Sequence, residues 1–472
     1  MMKEYDVVIV GTGPAGIFAA LELCRLTSAR ILMLDKGDDL EARNSSRPSP
    51  RVALSGWGGA GAYSDGKLNL SPEVGGFLQR YLTSAQLAEL IDYVDSIYLH
   101  FGAPRQLFGT VSEEVDRIAR EAKRCGLQLV PSRIRHLGTD NCFEVLRRIR
   151  EYLRDKVEVR FATPVVRIQP DSKRGHFVLW TDSGETIEAL FAILAPGRGG
   201  SEWLSEQAKN LHLSTAINPV DIGLRVEVPA SVMEPLTKVS YEAKLLFRSN
   251  KFGDQVRTFC MCPYGEVILE DLGGLYAVNG QSYAHRRTEY TNFAILVSTT
   301  FTEPFRDPIS YGRHIALLAN LLGGRVIVQR LSDLHSGRRS TGERIQQGPI
   351  FPTLKEATPG DLSFVLPYRH LANILEMLEA LASLVPDMTP ERVLLYGAEV
   401  KFYSLQIKLS PSMETEIPNL FGIGDGVGLT RGLVQASASG VIAAREIARR
   451  WQNRSAKGKT VQAPERQAWK AC

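Results

Sequence analysis

Apolar and polar positions along the chain follow two rhythms. Tyr5 to Leu23, YDVVIVGTGPAGIFAALEL, opens on an unbroken apolar run, Val7 to Val10, that predicts a buried strand. Gly11, Gly13 and Gly16 follow, and Ile17, Ala20, Leu21 and Leu23 then mark the inward face of a helix. A second apolar run, ILMLD, ends at Asp35, 19 residues beyond Gly16. Amphipathic helical patterns return at SAQLAELIDYVDSIYLHF (84–101) and SEEVDRIAREAKRCG (112–126), the latter stopped by Gly126. From about residue 216 two-residue alternation takes over, in DIGLRVEVP and NFAILVSTTF, with helical stretches at 312–323 and 370–385. The segment 417–450 reads as a strand, a Gly-Asp-Gly loop and a long helix.

These patterns predict an α/β protein. A Rossmann-like, three-layer nucleotide domain is assembled from residues 1–75, 140–215 and 400–450, interrupted by a mostly helical insertion over 76–139. Residues 216–399 form a mixed α+β substrate or cap domain, and 454–472 a flexible basic tail. A chain of 472 residues is too long for one simple core, which agrees with this division.

Composition narrows the class. Hydrophobic residues at 44% and charged residues at 23% are ordinary for a globular enzyme. The net charge is +4, but Trp451 to Cys472 alone holds five Lys or Arg against one Glu, so the body is near neutral and no nucleic acid is expected as a partner. The basic run RRIREYLRDK (147–156) reads as a solvated helix face. Six unpatterned cysteines suit a reducing cytoplasm, and no apolar run approaches the roughly 18 residues of a membrane span. The N-terminus runs straight into a strand pattern, so no signal peptide is expected.

Strand, glycine turn, helix and distant acid together make a dinucleotide-binding fingerprint. Gly11 permits the tight turn, Gly13 lets backbone approach a pyrophosphate, and Gly16 allows the helix to pack on the strand. The helix opening at Pro14 and Ala15 offers free amides and positive partial charge. Asp35, followed by Lys36, is placed to accept a ribose hydroxyl. At the other end, IPNLFGIGDGVGLTRGLVQASASG resembles the second flavin motif of the glutathione-reductase-like FAD superfamily. That resemblance puts Gly424 and Asp425 on the ribityl chain, and Gly432, Leu433, Val434 and Gln435 at a helix start facing the flavin pyrimidine. The cofactor is therefore FAD.

Three further stretches resemble the same superfamily. ATPVVRI (162–168) matches the strand whose backbone touches adenine, through Val165 or Val166. FAILAPG matches the Ala-Thr-Gly motif as Ala195, Pro196 and Gly197, with the proline removing a hydroxyl and an amide donor. SGWGGAGAYSDGKLNL (55–70) matches the loop brought against the flavin, implicating Gly56, Trp57, Gly58, Gly59, Ala60, Gly61, Ser64 and Lys67. With NPVDIGLRVEVP, TFCMCPYGEV and FYS before the Gly-Asp-Gly loop, nearly the whole chain to about residue 450 resembles the FAD-dependent dehydrogenase family (NAD(P)/FAD-dependent oxidoreductases) of bacteria and archaea. Where that family has Cys-Pro-Gly-Gly, this chain has Cys262, Pro263, Tyr264 and Gly265.

A second Rossmann fingerprint is missing, so NADH or NADPH would dock only transiently as electron donor. KGDDLEARNSSR lacks the paired cysteines of disulfide reductases. The expected activity is hydride transfer between flavin N5 and a small organic substrate in the interdomain cleft, with the second domain over the open flavin face. Candidate catalytic residues are Cys260, Cys262 and His335; Tyr264, Arg338, Arg339 and Lys401 are candidate substrate contacts. His335 reads more readily as a loop or capping residue and its neighbouring arginines as surface charge, though as a cluster they could bind a carboxylate or phosphate of the substrate or of a docking nicotinamide. Alternatives are reduction of double bonds in apolar chains, as in the similar geranylgeranyl reductases, an RNA-associated flavoprotein, and a thiol/flavin redox sensor. An electron-carrier protein and a second copy of the chain remain open as partners.

In RTFCMCPYGE, Val, Thr and Phe favour strand, and Pro263 biases Cys262 away from helix. Cys260 and Cys262 are then expected on one face with Met261 opposite. Ideal strand spacing of roughly 6.5–7 Å between their Cα atoms disfavours a strain-free disulfide. No partner Cys or His pair stands at zinc-ligand spacing, so no metal is expected.

Overall fold

The computed structural model describes residues 3–458 apart from 46–53, Asp65, Val111, Ser172, 284–285, Glu303, Arg306 and Tyr403. The chain divides into two compact units: residues 1–105, 135–216 and 404–472, and residues 106–134 and 217–403. Of the tail expected from Arg454, residues 454–458 continue the helix Leu433–Gly458, because nothing between Ala448 and Lys457 breaks helical propensity; the remainder lies outside the described residues.

In the first unit the apolar run lands where a run apolar on both faces must, in the middle of a parallel sheet. Strand Lys3–Val10 lies between Ile31–Leu34 and Thr186–Leu194, with Glu158–Arg160 beyond Ile31–Leu34. Strand Thr186–Leu194 forks. Its first half pairs antiparallel with His176–Thr181, which pairs in turn with Val165–Asp171, and its second half pairs parallel with Leu420–Gly422. Helices Pro14–Leu26 and Leu433–Gly458 pack closely, and Tyr98 of helix Ser84–His100 joins both, stacking on Phe18 and hydrogen-bonding Ser437 at 3.1 Å.

The segment expected as one helical insertion, 76–139, is instead divided. Helix Ser84–His100 buries Leu87, Ile91 and Val94 in the first unit. Helix Glu113–Arg124 belongs to the second, where strand Leu127–Val130 pairs with Lys244–Arg248 and so draws its helix along.

The second unit is built on an eight-stranded sheet in the order Thr358–Pro359, Ile327–Arg330, Leu394–Lys401, Val220–Pro229, Tyr290–Thr299, Gln255–Cys262, Lys244–Arg248, Leu127–Val130. Alternation decides its faces. Ile222, Leu224, Val226 and Val228 enter an apolar core with Ile374, Met377 and Leu381 of helix Tyr368–Leu384. Asp221, Arg225 and Glu227 take the other face, and they too are buried.

Candidate functional site

The glycine turn joins strand Lys3–Val10 to helix Pro14–Leu26. Gly11 sits at φ +112°, and a Cβ there would fall 2.1 Å from the Ala195 carbonyl oxygen, so only glycine lets the turn lie against Ala195. The helix begins with Gly13 as N-cap, no side-chain cap and no acid in its first turn. The amides of Ala15 and Gly16 thus lie within the first turn, where amides have no intrahelical acceptor. A Cβ on Gly13 would lie 3.9 Å from the Gly59 Cα and one on Gly59 only 3.1 Å from the Gly13 Cα, so two side-chain-free backbones lie in close approach beside the helix start.

Asp35 ties this turn to the glycine-rich loop. One carboxylate oxygen accepts from the amide and hydroxyl of Thr12, both at 2.8 Å, and the other from the amides of Gly37 at 2.9 Å and Gly56 at 2.7 Å. All four acceptor positions of a carboxylate are thereby occupied within the protein. Lys36 donates to the Gly199 carbonyl at 2.6 Å. Arg43, almost fully buried, donates to the carbonyls of Trp57 and Gly59 (3.0 Å to the latter) and lies over the Tyr63 ring. Trp57 is buried, its indole N–H on the Leu146 carbonyl at 3.0 Å, and Gly59–Tyr63 forms a short 3₁₀ turn that includes Ala60 and Gly61. Ser64 donates back to Gly61 at 2.9 Å, and Lys67 opens strand Lys67–Asn69. The loop is packed, with Gly58 at φ +81°.

The C-terminal loop lies in the same unit. Gly424 donates to the Ser439 hydroxyl at 3.0 Å, and Asp425 accepts from Thr430 at 2.6 Å with Arg198 3.9 Å away. Burial pushes the Asp425 carboxyl above its ordinary range, against the pull of Arg198 and Thr430. Ala195 donates to the Val10 carbonyl, and Pro196 and Gly197 lead to Arg198. Gly432, Leu433 and Val434 open the long helix, but the Gln435 side chain donates to the carbonyls of Pro72 and Val74 and accepts from Leu78. Val165 is buried and Val166 exposed, its carbonyl accepting from Trp203 and Gln207.

The second unit gathers some of its sequence candidates and leaves others apart. Cys260 does not alternate as a strand residue should. The register steps from Phe259 opposite Ala294 to Cys262 opposite Asn292, so a bulge inserts one residue, and Cys260 adopts φ +46°. Met261 and Cys262 are both buried, Cys260 partly so, and the two sulfurs stand 3.9 Å apart. The expected regular strand is thus a bulged one, while Met261 enters the apolar core and the two thiols share the Arg225 face, as expected. Arg225, fully buried, donates to the Cys260 carbonyl at 2.6 Å, Cys262 Sγ at 3.4 Å, Asn292 Oδ1 at 2.9 Å and Glu399 at 3.2 Å. Lys401 lies 3.2 Å from Glu399 and 3.3 Å from Glu270. Burial alone would lower the pKa of both cations, yet the carboxylates beside them hold each above its ordinary value.

His335, Arg338 and Arg339 sit exposed on a turn organised by buried Asp333, which takes Arg338 at 3.1 Å and Ser340 at 2.7 Å. Among the described residues no hydrogen bond or ion pair joins them to the Cys260 cluster. Tyr264 donates to Glu234 at 2.6 Å and stacks under Arg287. Sequence reasoning missed Thr12, Arg43, Arg225, Asn292 and Glu399. The polar positions alternating with apolar ones in DIGLRVEVP were the available signal for Arg225.

Residues 6–221 match the family model described as FAD dependent oxidoreductase, and residues 219–401 the model described as FAD-dependent protein, C-terminal domain-like. Residues 353–455 match the model for glucose inhibited division protein A. A Clostridium beijerinckii protein, itself described only as uncharacterised, is 28% identical over 478 residues, covering 93% of this chain and 80% of its own. Glycine oxidase from Geobacillus kaustophilus is 15% identical over 95% of each chain at a TM-score of 0.41. FAD-bound L-α-glycerophosphate oxidase from Mycoplasma pneumoniae is 12% identical over 95% of each, at 0.39. Among the described residues no helix is long and apolar enough to cross a membrane. Two adjoining models of FAD-dependent proteins account for residues 6–401, and this chain is an FAD-dependent oxidoreductase.

Proposed function

We propose that the enzyme transfers a hydride between the flavin N5 and an organic substrate. The observation that carries this reading is the convergence in one unit of three backbone-lined elements: the turn at Gly11–Gly16, the loop at Gly56–Gly61 and the loop at Gly424–Asp425. Bound FAD supplies a two-electron carrier, and the chain's residues hold and surround it. The amides of Gly13, Ala15 and Gly16 bind the pyrophosphate, Asp425 the ribityl hydroxyls, and the backbone from Val165 to Val166 the adenine. A ribose hydroxyl donating to Asp35 competes with the Gly56 amide, so the same carboxylate that reads the ribose sets the position of the glycine-rich loop. In this reading the start of helix Leu433–Gly458 would offer positive partial charge to the negative charge of a reduced flavin.

Anaerobic addition of NADH, NADPH and candidate organic donors to the purified yellow protein, followed through flavin absorbance at about 450 nm, tests the reading. Bleaching by an organic donor, or bleaching by a nicotinamide and recovery with an organic acceptor, is the expected outcome. A protein that purifies colourless and takes up no FAD would sink it.

A further inference from the structure

We propose that Cys260 and Cys262 are a redox-active dithiol that exchanges with small-molecule disulfides, closing reversibly to a disulfide within the second unit. A regular strand would hold residues two apart too far for this, but the bulge at Cys260 brings the sulfurs to 3.9 Å. Cys260 adopts a left-handed conformation, φ +46°, that a cysteine enters only when its surroundings impose it. What imposes it is Arg225, whose guanidinium takes the Cys260 carbonyl at 2.6 Å and lies 3.4 Å from Cys262 Sγ. Gly280 makes room for that guanidinium, since a Cβ there would fall 1.8 Å from Arg225 Nη2 and 2.2 Å from Asn292 Oδ1.

The surroundings suit a thiolate. Arg225 is shared among Glu399, Asn292 and the cysteine pair, so a positive charge faces Cys262 in an otherwise dry site. Asn292 stands opposite Cys262 in the ladder, its oxygen held by Arg225, and its buried amide nitrogen has no hydrogen-bond partner among the described residues. Exposure divides the roles: Cys260 is partly exposed and can be attacked from outside, whereas Cys262 is fully buried. The Cys260 thiolate attacks one sulfur of R–S–S–R, forming a mixed disulfide and releasing RS⁻. The Cys262 thiolate then attacks the Cys260 sulfur, releasing the second RS⁻. The two protons of the cysteines leave with the products, so two electrons pass from the protein sulfurs to the small disulfide, giving two RSH.

The FAD-loaded protein is incubated with oxidised glutathione, and its cysteine peptides are weighed before and after reduction. The wild type should give a Cys260–Cys262 peptide lighter by a pair of hydrogens and restored by dithiothreitol. Cys262→Ser should stop at one glutathione on Cys260, and Cys260→Ser should leave Cys262 unmodified. A wild-type urea-unfolding profile shows that each variant is folded, and Cys262→Ala replaces Cys262→Ser if it is lost. A peptide that keeps both thiols while Cys125 acquires glutathione, or a wild-type adduct on Cys260 that never closes, would overturn the proposal. Because the readout is sulfur mass, it stands apart from whether the flavin accepts a hydride.

Discussion

The segment Val7–Val10 in the first unit and strand Val220–Pro229 in the second are both buried, but they handle polarity differently. The first carries only apolar side chains and delivers the chain to a glycine turn, where three main-chain amides and the Thr12 hydroxyl saturate the Asp35 carboxylate. The second brings Asp221, Arg225 and Glu227 into the interior on alternate positions, and each meets a side-chain partner: Arg257 and Ser298 at 2.5 Å, Glu399 at 3.2 Å, and Thr353 with Tyr396. Burial pushes the Glu227 carboxyl upward despite its hydrogen bonds, which measures what such a face must overcome. A glycine turn needs only local sequence to work, whereas a buried charge needs partners from distant strands.

The largest expected effect tests the first half of this contrast. Gly11→Val puts a branched side chain where a single Cβ already lies 2.1 Å from the Ala195 carbonyl, at a φ that such residues avoid. The variant should lose about three orders of magnitude of FAD affinity, about 4 kcal/mol, read by flavin retention on gel filtration. Near-normal retention would mean that the turn is not where recognition happens.

Next is Arg225→Met, which leaves Glu399 buried with only Lys401 to answer it. Breaking one side of a buried pair costs about 3–5 kcal/mol, and adding Glu399→Leu should recover a large part of it, measured by urea unfolding of the single and double variants. If the double variant is no better than the single, the Glu399 charge is not what makes the single variant unstable.

These two sites were unequally legible from sequence. Gly11, Gly13 and Gly16 announce themselves because turn, strand and helix are contiguous, and the Gly-Asp-Gly loop before a long helix is as local. Asp35 stood out as an acid at the right distance, but its four protein donors depend on how Thr12 and Gly56 fold back. Arg43 was invisible in KGDDLEARNSSR, a stretch that drew notice only for its lack of cysteines. The alternation in DIGLRVEVP gave the strand, yet it reads the same whether its polar face meets water or Glu399, 174 residues away. No residue type signals that Cys260 will adopt a positive φ, since the bulge arises from pairing with strand Tyr290–Thr299. Helix Glu113–Arg124 was read as part of one insertion with Ser84–His100 for the same reason: its own amphipathic pattern does not name the sheet it joins.

A third effect separates buried charge from buried polarity that stays neutral. His370 shares a 2.9 Å hydrogen bond with Thr299 and lies near Asp254, Arg369 and Tyr311. Burial lowers its pKa from 6.5 to about 4, with Arg369 adding to the fall and Asp254 opposing it. Below pH 6.5 the unfolded chain binds a proton that the folded one refuses, so the contribution is complete above pH 6.5 and is lost as pH falls toward 4. The loss is at most on the order of 3 kcal/mol. His370→Gln should flatten the stability profile across that window, and an unchanged slope would place the acid sensitivity elsewhere.

The smallest effect asks whether main-chain recognition in the first unit depends on a side chain after all. Arg43 reaches the Trp57 and Gly59 carbonyls with two arms of one planar guanidinium, a fork that the compact ammonium of a lysine does not reproduce. Arg43→Lys should therefore weaken FAD binding about tenfold, the value of one hydrogen bond to a charged donor, with Trp57 fluorescence reporting a loosened loop. If affinity falls as expected, the glycine-rich loop is shaped from beneath by a buried cation, and the two units differ less than their strands suggest: each relies on one buried arginine, Arg43 to shape a loop and Arg225 to bend a strand. If affinity is unchanged while the fluorescence shifts, the Asp35 contacts to Thr12 and Gly56 hold the loop without it, and the contrast between backbone and side-chain recognition stands.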